Sequence, residues 1–334
     1  MTVDPCVLIT TVPFGAIDRG PLDLLEAARI RYVINSAGRR LTERELADII
    51  GDYTVVIAGT EPITAKVMDQ APHLRLIARV GIGLDNVDLL GARERGIAVT
   101  YTPEAPSLAV AEFTIGLMLS LLRFIPHADQ SMKRGVWRRF MGRRLGQVTV
   151  GVLGVGRVGK GVIRLLKGFG PRIIANDLVP DTDFGAAYGV EWTDKERVYR
   201  DADIITLHLP LTHLTRNLIS RREMEMMKRD ALLINTSRGG IVNEHDLAEM
   251  LAGTRLGGAA LDVFEEEPYS GKLAKYEDCL ITCHMGSMSQ DCRARMELER
   301  PRKSCGFSGV SRCAGWSLKR NTRFGASGRS PRRV

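Results

Sequence analysis

Gly154-x-Gly156-x-x-Gly159 follows an apolar run, Thr149 to Leu153, and opens a helical pattern from about Arg157 to Lys167. Glycines at this spacing let a strand turn sharply into a helix. They also let the backbone approach a pyrophosphate, which rests on the unpaired N–H groups of the helix start. A second apolar run, Arg172 to Asn176, delivers Asp177 about 20 residues on. That carboxylate can accept both ribose hydroxyls of NAD and repels an added 2′-phosphate. The glycines alone fit a plain strand-to-helix turn; strand, helix and spaced acid together point to NAD as the cofactor.

Three further residues stand beyond short apolar runs. Arg238 lies in Asn235-Thr236-Ser237-Arg238-Gly239-Gly240, Glu267 in Asp262-Val263-Phe264-Glu265-Glu266-Glu267-Pro268, and His284 in Thr282-Cys283-His284-Met285-Gly286-Ser287. Hydride transfer to a 2-keto acid needs a cation for the carboxylate, a proton donor for the carbonyl oxygen, and a group that tunes the donor. Arginine supplies a permanent planar fork. Histidine titrates near neutrality, and a carboxylate beside it favours the protonated ring. Taken singly, each has a plainer reading: a surface arginine, a solvated acid, a satisfied loop histidine.

The elements that must position these groups alternate. Strands are expected at Val7 to Thr10, Arg31 to Ile34, Tyr53 to Ala58, Leu74 to Val80 and Ala98 to Tyr101. Helices are expected between them, at Pro21 to Ala28, Thr42 to Ile50 (with Thr42 and Glu45 as a capping box), Thr64 to Gln70 and Asp88 to Arg95. Pro103-Glu104-Ala105-Pro106 breaks the pattern as a hinge, and a long helix from Leu108 to Phe124 leads to the glycine-rich unit. Short strands then recur at Ile204 to His208, Ala231 to Asn235, Gly258 to Asp262 and Leu280 to Thr282, each ending in polar residues. Such alternation implies α/β architecture with parallel sheets, whose strand ends line a ligand crevice.

Composition narrows the class. The 334 residues are 44% hydrophobic, enough for two cores, and Phe113 to Leu122, the most apolar helix candidate, is too short to span a bilayer. No basic-then-apolar leader opens the chain, so a cytoplasmic protein is expected, with no membrane partner. The net charge of +8 invites a nucleic-acid reading. However, the tail from Arg300 holds eight Arg, two Lys and no acid, leaving −2 on the rest. A basic footprint belongs on the folded surface, so nucleic acid is not the expected partner. The six cysteines form no spaced pairs; Cys279, Cys283 and His284 read as thiols and a histidine without a metal.

Together these segments resemble the D-2-hydroxyacid dehydrogenase family, most closely its phosphoglycerate dehydrogenase branch, over roughly residues 50–299. The resemblance rests on Arg79-Val80-Gly81-Ile82-Gly83-Leu84-Asp85-Asn86-Val87-Asp88, Val110-Ala111-Glu112, Gly135-Val136-Trp137, the glycine run and the three segments above. It implies two doubly wound parallel-sheet domains, with a Rossmann NAD-binding domain inserted into a flavodoxin-like substrate domain. Residues 1–102 and 288–334 would form the substrate lobe and residues 103–287 the nucleotide lobe. By the same resemblance, Arg238 binds and polarises a 2-hydroxy or 2-keto acid, His284 is the acid/base and Glu267 its partner. The Ile82 and Gly83 amides hold the substrate carboxylate, and Arg79 is available to an anionic tail. NAD contacts fall on Ile82, Arg157, Val158, Asp177, Thr236 and Asp262, with Gly154, Gly156 and Gly159 under the pyrophosphate. A homodimer through the nucleotide domain is also implied.

The pattern is broken in places. Phosphoglycerate dehydrogenases usually carry Arg where this chain has Ala58 and Asn near Pro106, and the usual Pro before the histidine is Cys283. Gln290 to Glu299 reads as the start of a helix, but periodicity vanishes from Arg300. A one-base reading-frame slip would account for this, since synonymous GC-rich codons for the tail, read from their last bases, can encode an acidic amphipathic helix. A disordered basic tail is the alternative. An NAD(H)-sensing binding protein of the corepressor type, on the same fold, is the second functional reading.

Overall fold

The computed structural model describes residues 6–298 and the backbone of residues 302–303; the expectations for the rest of the basic tail lie outside these. The first lobe alternates β1 (Cys6–Ile9), α1 (Gly20–Ala27), β2 (Arg31–Ile34), α2 (Glu43–Ile49), β3 (Val55–Ala58), α3 (Ala65–Asp69), β4 (Leu76–Arg79), α4 (Leu89–Glu94) and β5 (Ala98–Tyr101). Its five strands are parallel, in the order β5-β4-β3-β1-β2, which is the flavodoxin-like winding. Thr42 and Glu45 close the expected capping box at α2: the Thr42 hydroxyl takes the Glu45 N–H, and the Thr42 N–H donates to the Glu45 carboxylate at 2.9 Å.

Two helices lead onward, α5 (Pro106–Leu122) and α6 (Ile125–Lys133). The long helix expected from Leu108 to Phe124 is α5, which ends two residues earlier; α6, directly after it, has no counterpart among the expected elements. Phe124 takes a left-handed φ of 53°, and the chain bends by 62° between the two helices. No single helix among the described residues is long and apolar enough to cross a membrane. Helix α5 packs against the helix of the glycine run, where a Cβ built on Gly161 would lie 3.0 Å from that of Ala111. Small residues on both sides allow this close approach.

The second sheet follows: β6 (Thr149–Leu153), α7 (Arg157–Leu166), β7 (Arg172–Asn176), α8 (Thr182–Tyr188), β8 (Val190–Trp192), α9 (Lys195–Asp201), β9 (Ile204–Leu207), α10 (Arg221–Met226), β10 (Leu232–Asn235), α11 (Glu244–Ala252), β11 (Gly258–Leu261) and β12 (Cys279–Ile281). All seven strands are parallel, in the order β12-β11-β10-β9-β6-β7-β8. Order reverses between β6 and β9, the switch point where a doubly wound sheet opens its ligand crevice. The central strands are buried on both faces, which explains their unbroken apolar runs.

The chain then returns to the first lobe. Helix α12 (Gln290–Leu298) buries Cys292 and Met296 with Val80 and Ala105. Its Arg293 pairs with Glu297 at 2.9 Å and donates to the Pro13 carbonyl, and Glu297 accepts the Gly15 N–H at 2.9 Å. A short β13 (Arg302–Lys303) lies antiparallel to β5.

Candidate active site

The nucleotide cradle is built by the turn from β6 into α7. Gly154 has φ of +90°, and a Cβ there would meet the His208 carbonyl oxygen at 2.5 Å. A Cβ on Gly159 would lie 2.1 Å from the Gly154 carbonyl oxygen. Neither position has room for a side chain. Gly156 differs: it is the uncapped N-cap of α7, and nothing lies within 4 Å of a Cβ built there. The helix therefore presents free N–H groups to an open face, the arrangement a pyrophosphate needs. Arg157 is exposed and Val158 half-buried beside it. Asp177 stands at the end of β7, its carboxylate held by the N–H groups of Val155 at 2.6 Å and Val179 at 3.0 Å. The cradle thus fits a dinucleotide with an unphosphorylated ribose.

At the next strand ends, the buried Thr236 shares its hydroxyl with Thr114 at 2.8 Å, tying β10 to α5. Asp262 is 1% exposed, and its oxygens are taken by the Thr282 hydroxyl and the N–H groups of Met285 and Gly286. Its carbonyl also accepts the His284 N–H at 2.8 Å. The role the structure shows for Asp262 is to hold the loop that carries His284. That loop needs holding, because His284 has a left-handed φ of 52°. Cys283, in place of the expected proline, is exposed.

Arg238, Glu267 and His284 meet on one cleft between the lobes, with a volume of about 600 Å³. Glu267 Oε2 lies 2.9 Å from His284 Nδ1, and its other oxygen accepts the Phe264 N–H at 3.1 Å. Burial works to raise the Glu267 carboxyl, but the hydrogen bond and charge of His284 outweigh it and hold it below the usual range. Nδ1 being engaged, Nε2 is the ring nitrogen without a protein hydrogen bond among the described residues.

Arg238 reaches across to the first lobe. Its Nε donates to Asp85 at 2.8 Å and its Nη1 to the Ser237 carbonyl at 2.6 Å. The guanidinium packs so closely on the 81–85 loop that a Cβ on Gly83 would lie 1.7 Å from Nη2. Burial opposes ionisation of Asp85, yet the charge and hydrogen bond of Arg238 keep its carboxyl low. Among the described residues, the Ile82 and Gly83 N–H groups have no protein partner, leaving two adjacent donors beside Arg238.

Arg79 faces the same cleft but is committed to its own loop. It is 8% exposed, donates to the Val80 carbonyl and to Asn86 at 3.3 Å, and is pulled down to about 10 by burial. Ala58, where the resemblance expects arginine, is fully buried in the core of the first lobe. Two cleft residues received no role from the sequence: Asp85, within the 79–88 segment, which pairs with Arg238, and Arg40, which donates to the Glu267 carbonyl at 3.2 Å. Their partners lie far along the chain, so no local spacing reveals them.

Residues 115–286 match the family model described as D-isomer specific 2-hydroxyacid dehydrogenase, NAD binding domain. A D-3-phosphoglycerate dehydrogenase of Methanocaldococcus jannaschii is 40% identical over 259 residues, covering 76% of this chain and 49% of that protein. A hydroxypyruvate reductase of Thermotoga maritima is 37% identical over 267 residues, covering 78% of this chain and 86% of that one. Among solved structures, the TT0316 protein from Thermus thermophilus superposes with a TM-score of 0.80 at 33% identity, over 87% of this chain and 93% of that one. The chain spans about half the length of the curated phosphoglycerate dehydrogenases it matches.

Proposed function

Because the chain belongs to the D-isomer specific 2-hydroxyacid dehydrogenase family, we propose that it interconverts a D-2-hydroxy acid and the 2-keto acid with NAD(H). The observation that carries this reading is the convergence of Arg238, Glu267 and His284, with the free Ile82 and Gly83 amides, on one cleft. The dinucleotide, when bound, supplies or accepts the hydride. Gly154, Gly156, Gly159, Arg157 and Val158 would hold its pyrophosphate and Asp177 its ribose. Thr236 and Ile82 would flank the nicotinamide end, and Asp262 would act there through the loop it fastens.

For keto-acid reduction, the Ile82 and Gly83 N–H groups receive the substrate carboxylate. Arg238 then spans the carboxylate and the carbonyl, whose oxygen gains negative charge as the hydride arrives. His284 delivers the proton from Nε2 to that oxygen. Glu267, bonded to Nδ1, fixes the ring and leaves Nε2 to face the substrate. Oxidation runs the same steps backwards, with His284 taking the hydroxyl proton.

The 134–144 stretch supports a homodimer through the nucleotide lobe. Trp137 is 81% and Met141 95% exposed, an apolar display that a second subunit would cover. The described cysteines are unpaired, in keeping with a cytoplasmic enzyme. The test is NADH oxidation at 340 nm with glyoxylate, hydroxypyruvate and 3-phosphohydroxypyruvate. Turnover with any of them, abolished in His284→Ala, is the expected result. NADH binding without turnover would overturn the enzymatic reading in favour of a sensor.

A further inference from the structure

Three guanidinium groups among the described residues face the cleft, and two of them are occupied. Arg238 is held by Asp85 and the Ser237 carbonyl, and Arg79 is bound into its own loop. The third is Arg40, in the loop that precedes α2. Its neighbour Arg39 turns the other way, into a two-pronged pair with Glu45 at 3.0 and 2.5 Å. Arg40 instead extends over the cleft, where its guanidinium makes one hydrogen bond among the described residues, from Nη1 to the Glu267 carbonyl. No carboxylate among the described residues, Glu266 included, lies within ion-pair distance of it, and Glu267 feels its charge only from farther off. Glu267 is engaged by His284, Asp85 by Arg238, and Asp88 by the Gly91 N–H at the start of α4.

We propose that Arg40 is a specificity-determining cation for this cleft, selecting 2-keto acids that carry a second acidic group, phosphate or carboxylate, on the tail. The inference rests on the dehydrogenase reading and adds the substrate class to it. A substrate whose carboxylate lies on Ile82, Gly83 and Arg238, and whose carbonyl faces His284, has its tail in the remainder of the cleft. There a permanently charged fork with uncommitted N–H groups matches a carboxylate or phosphate. The strand end that would carry such a cation in phosphoglycerate dehydrogenases holds the buried Ala58 instead, so Arg40 meets the tail from a different loop.

The experiment measures NADH-dependent reduction of glyoxylate, hydroxypyruvate, oxaloacetate and 3-phosphohydroxypyruvate by the full chain and its Arg40→Gln and Arg40→Lys variants. Glutamine can keep the bond to the Glu267 carbonyl but has no charge; lysine keeps the charge. In the wild type, kcat/KM should be higher for the two diacids, and the larger of the two identifies phosphate or carboxylate as the tail. Arg40→Gln should lower kcat/KM for the diacids by about 10- to 100-fold, mainly through KM, as expected for a lost charge-assisted hydrogen bond. Glyoxylate should change by less than about 3-fold, and Arg40→Lys should recover part of the loss. Equal losses for glyoxylate and diacids in Arg40→Gln would overturn the proposal in favour of a brace on Glu267. A wild-type preference for glyoxylate would overturn it while leaving the dehydrogenase reading intact. Absence of turnover with every acid overturns both.

Discussion

Arg238 Nε lies 2.8 Å from Asp85 Oδ1, an ion pair between residues 153 positions apart that joins the strand ends of two different sheets. The pair turns the guanidinium so that Nη2 rests on Gly83, beside the two free amide donors. A carboxylate that fixes an arginine in this way orients the substrate without touching it. Asp85→Asn should therefore raise KM for the keto acid by about 10-fold, with a smaller change in kcat. Arg238→Lys loses the planar fork and should lower kcat/KM by at least about 100-fold. Steady-state kinetics, with NADH affinity measured separately by fluorescence, checks both; unchanged KM in Asp85→Asn would exclude the positioning role.

His284→Ala should lower the reduction rate by about 100- to 10,000-fold, the usual contribution of a placed general acid. NADH should still bind, because the ring meets Glu267 and not the glycine turn. A variant with near wild-type turnover would remove His284 from the chemistry.

Glu267 also leaves a mark on stability. Burial alone would raise its folded carboxyl, but His284, the Phe264 N–H and the charge of Arg40 together hold it below its ordinary 4.5. The stabilisation is therefore complete above that ordinary value and disappears as pH falls through the lower folded one. Urea unfolding of wild type and Glu267→Gln should differ most above pH 4.5 and converge as the pH falls progressively below that value. A gap that widens on acidification would contradict this sign.

Gly156 and Gly159 should respond differently to alanine. The Gly159 Cβ would press on the Gly154 carbonyl, and overpacking of this kind costs about 1–3 kcal/mol, so Gly159→Ala should melt earlier. Gly156→Ala places its methyl in open space and should melt like wild type while binding NADH more weakly. Calorimetry and fluorescence titration separate the two. Undiminished NADH binding in Gly156→Ala would move the pyrophosphate elsewhere.

Asp177→Ala should reduce the kcat/KM preference for NADH over NADPH by about 10-fold or more, since the carboxylate is the repelling charge at the ribose position. Parallel assays with the two dinucleotides decide it; an unchanged ratio would assign the preference to another residue.

What the sequence determined by itself is short-range. Strand periodicity located both sheets, because a strand buried on two faces must be apolar throughout. The glycine spacing exposed the cradle, because only glycine satisfies the backbone angles and close contacts of Gly154 and Gly159. Arg238, Glu267 and His284 were legible as chemistry at strand ends, where polar residues interrupt apolar runs. The end of the long helix near Phe124 was legible too, but α6 was not: Pro126 reads as a breaker after α5, although in the structure it sits in the first turn of a new helix, where a missing N–H costs nothing. Only the tertiary structure brought Asp85 to Arg238, Arg40 to the Glu267 carbonyl, and Asp262 to the loop of His284. The first two contacts cross between lobes over 153 and 227 positions of chain. Hydrogen bonds and ion pairs at such separation depend on how two sheets face each other, and that arrangement has no period or spacing along a single strand or helix.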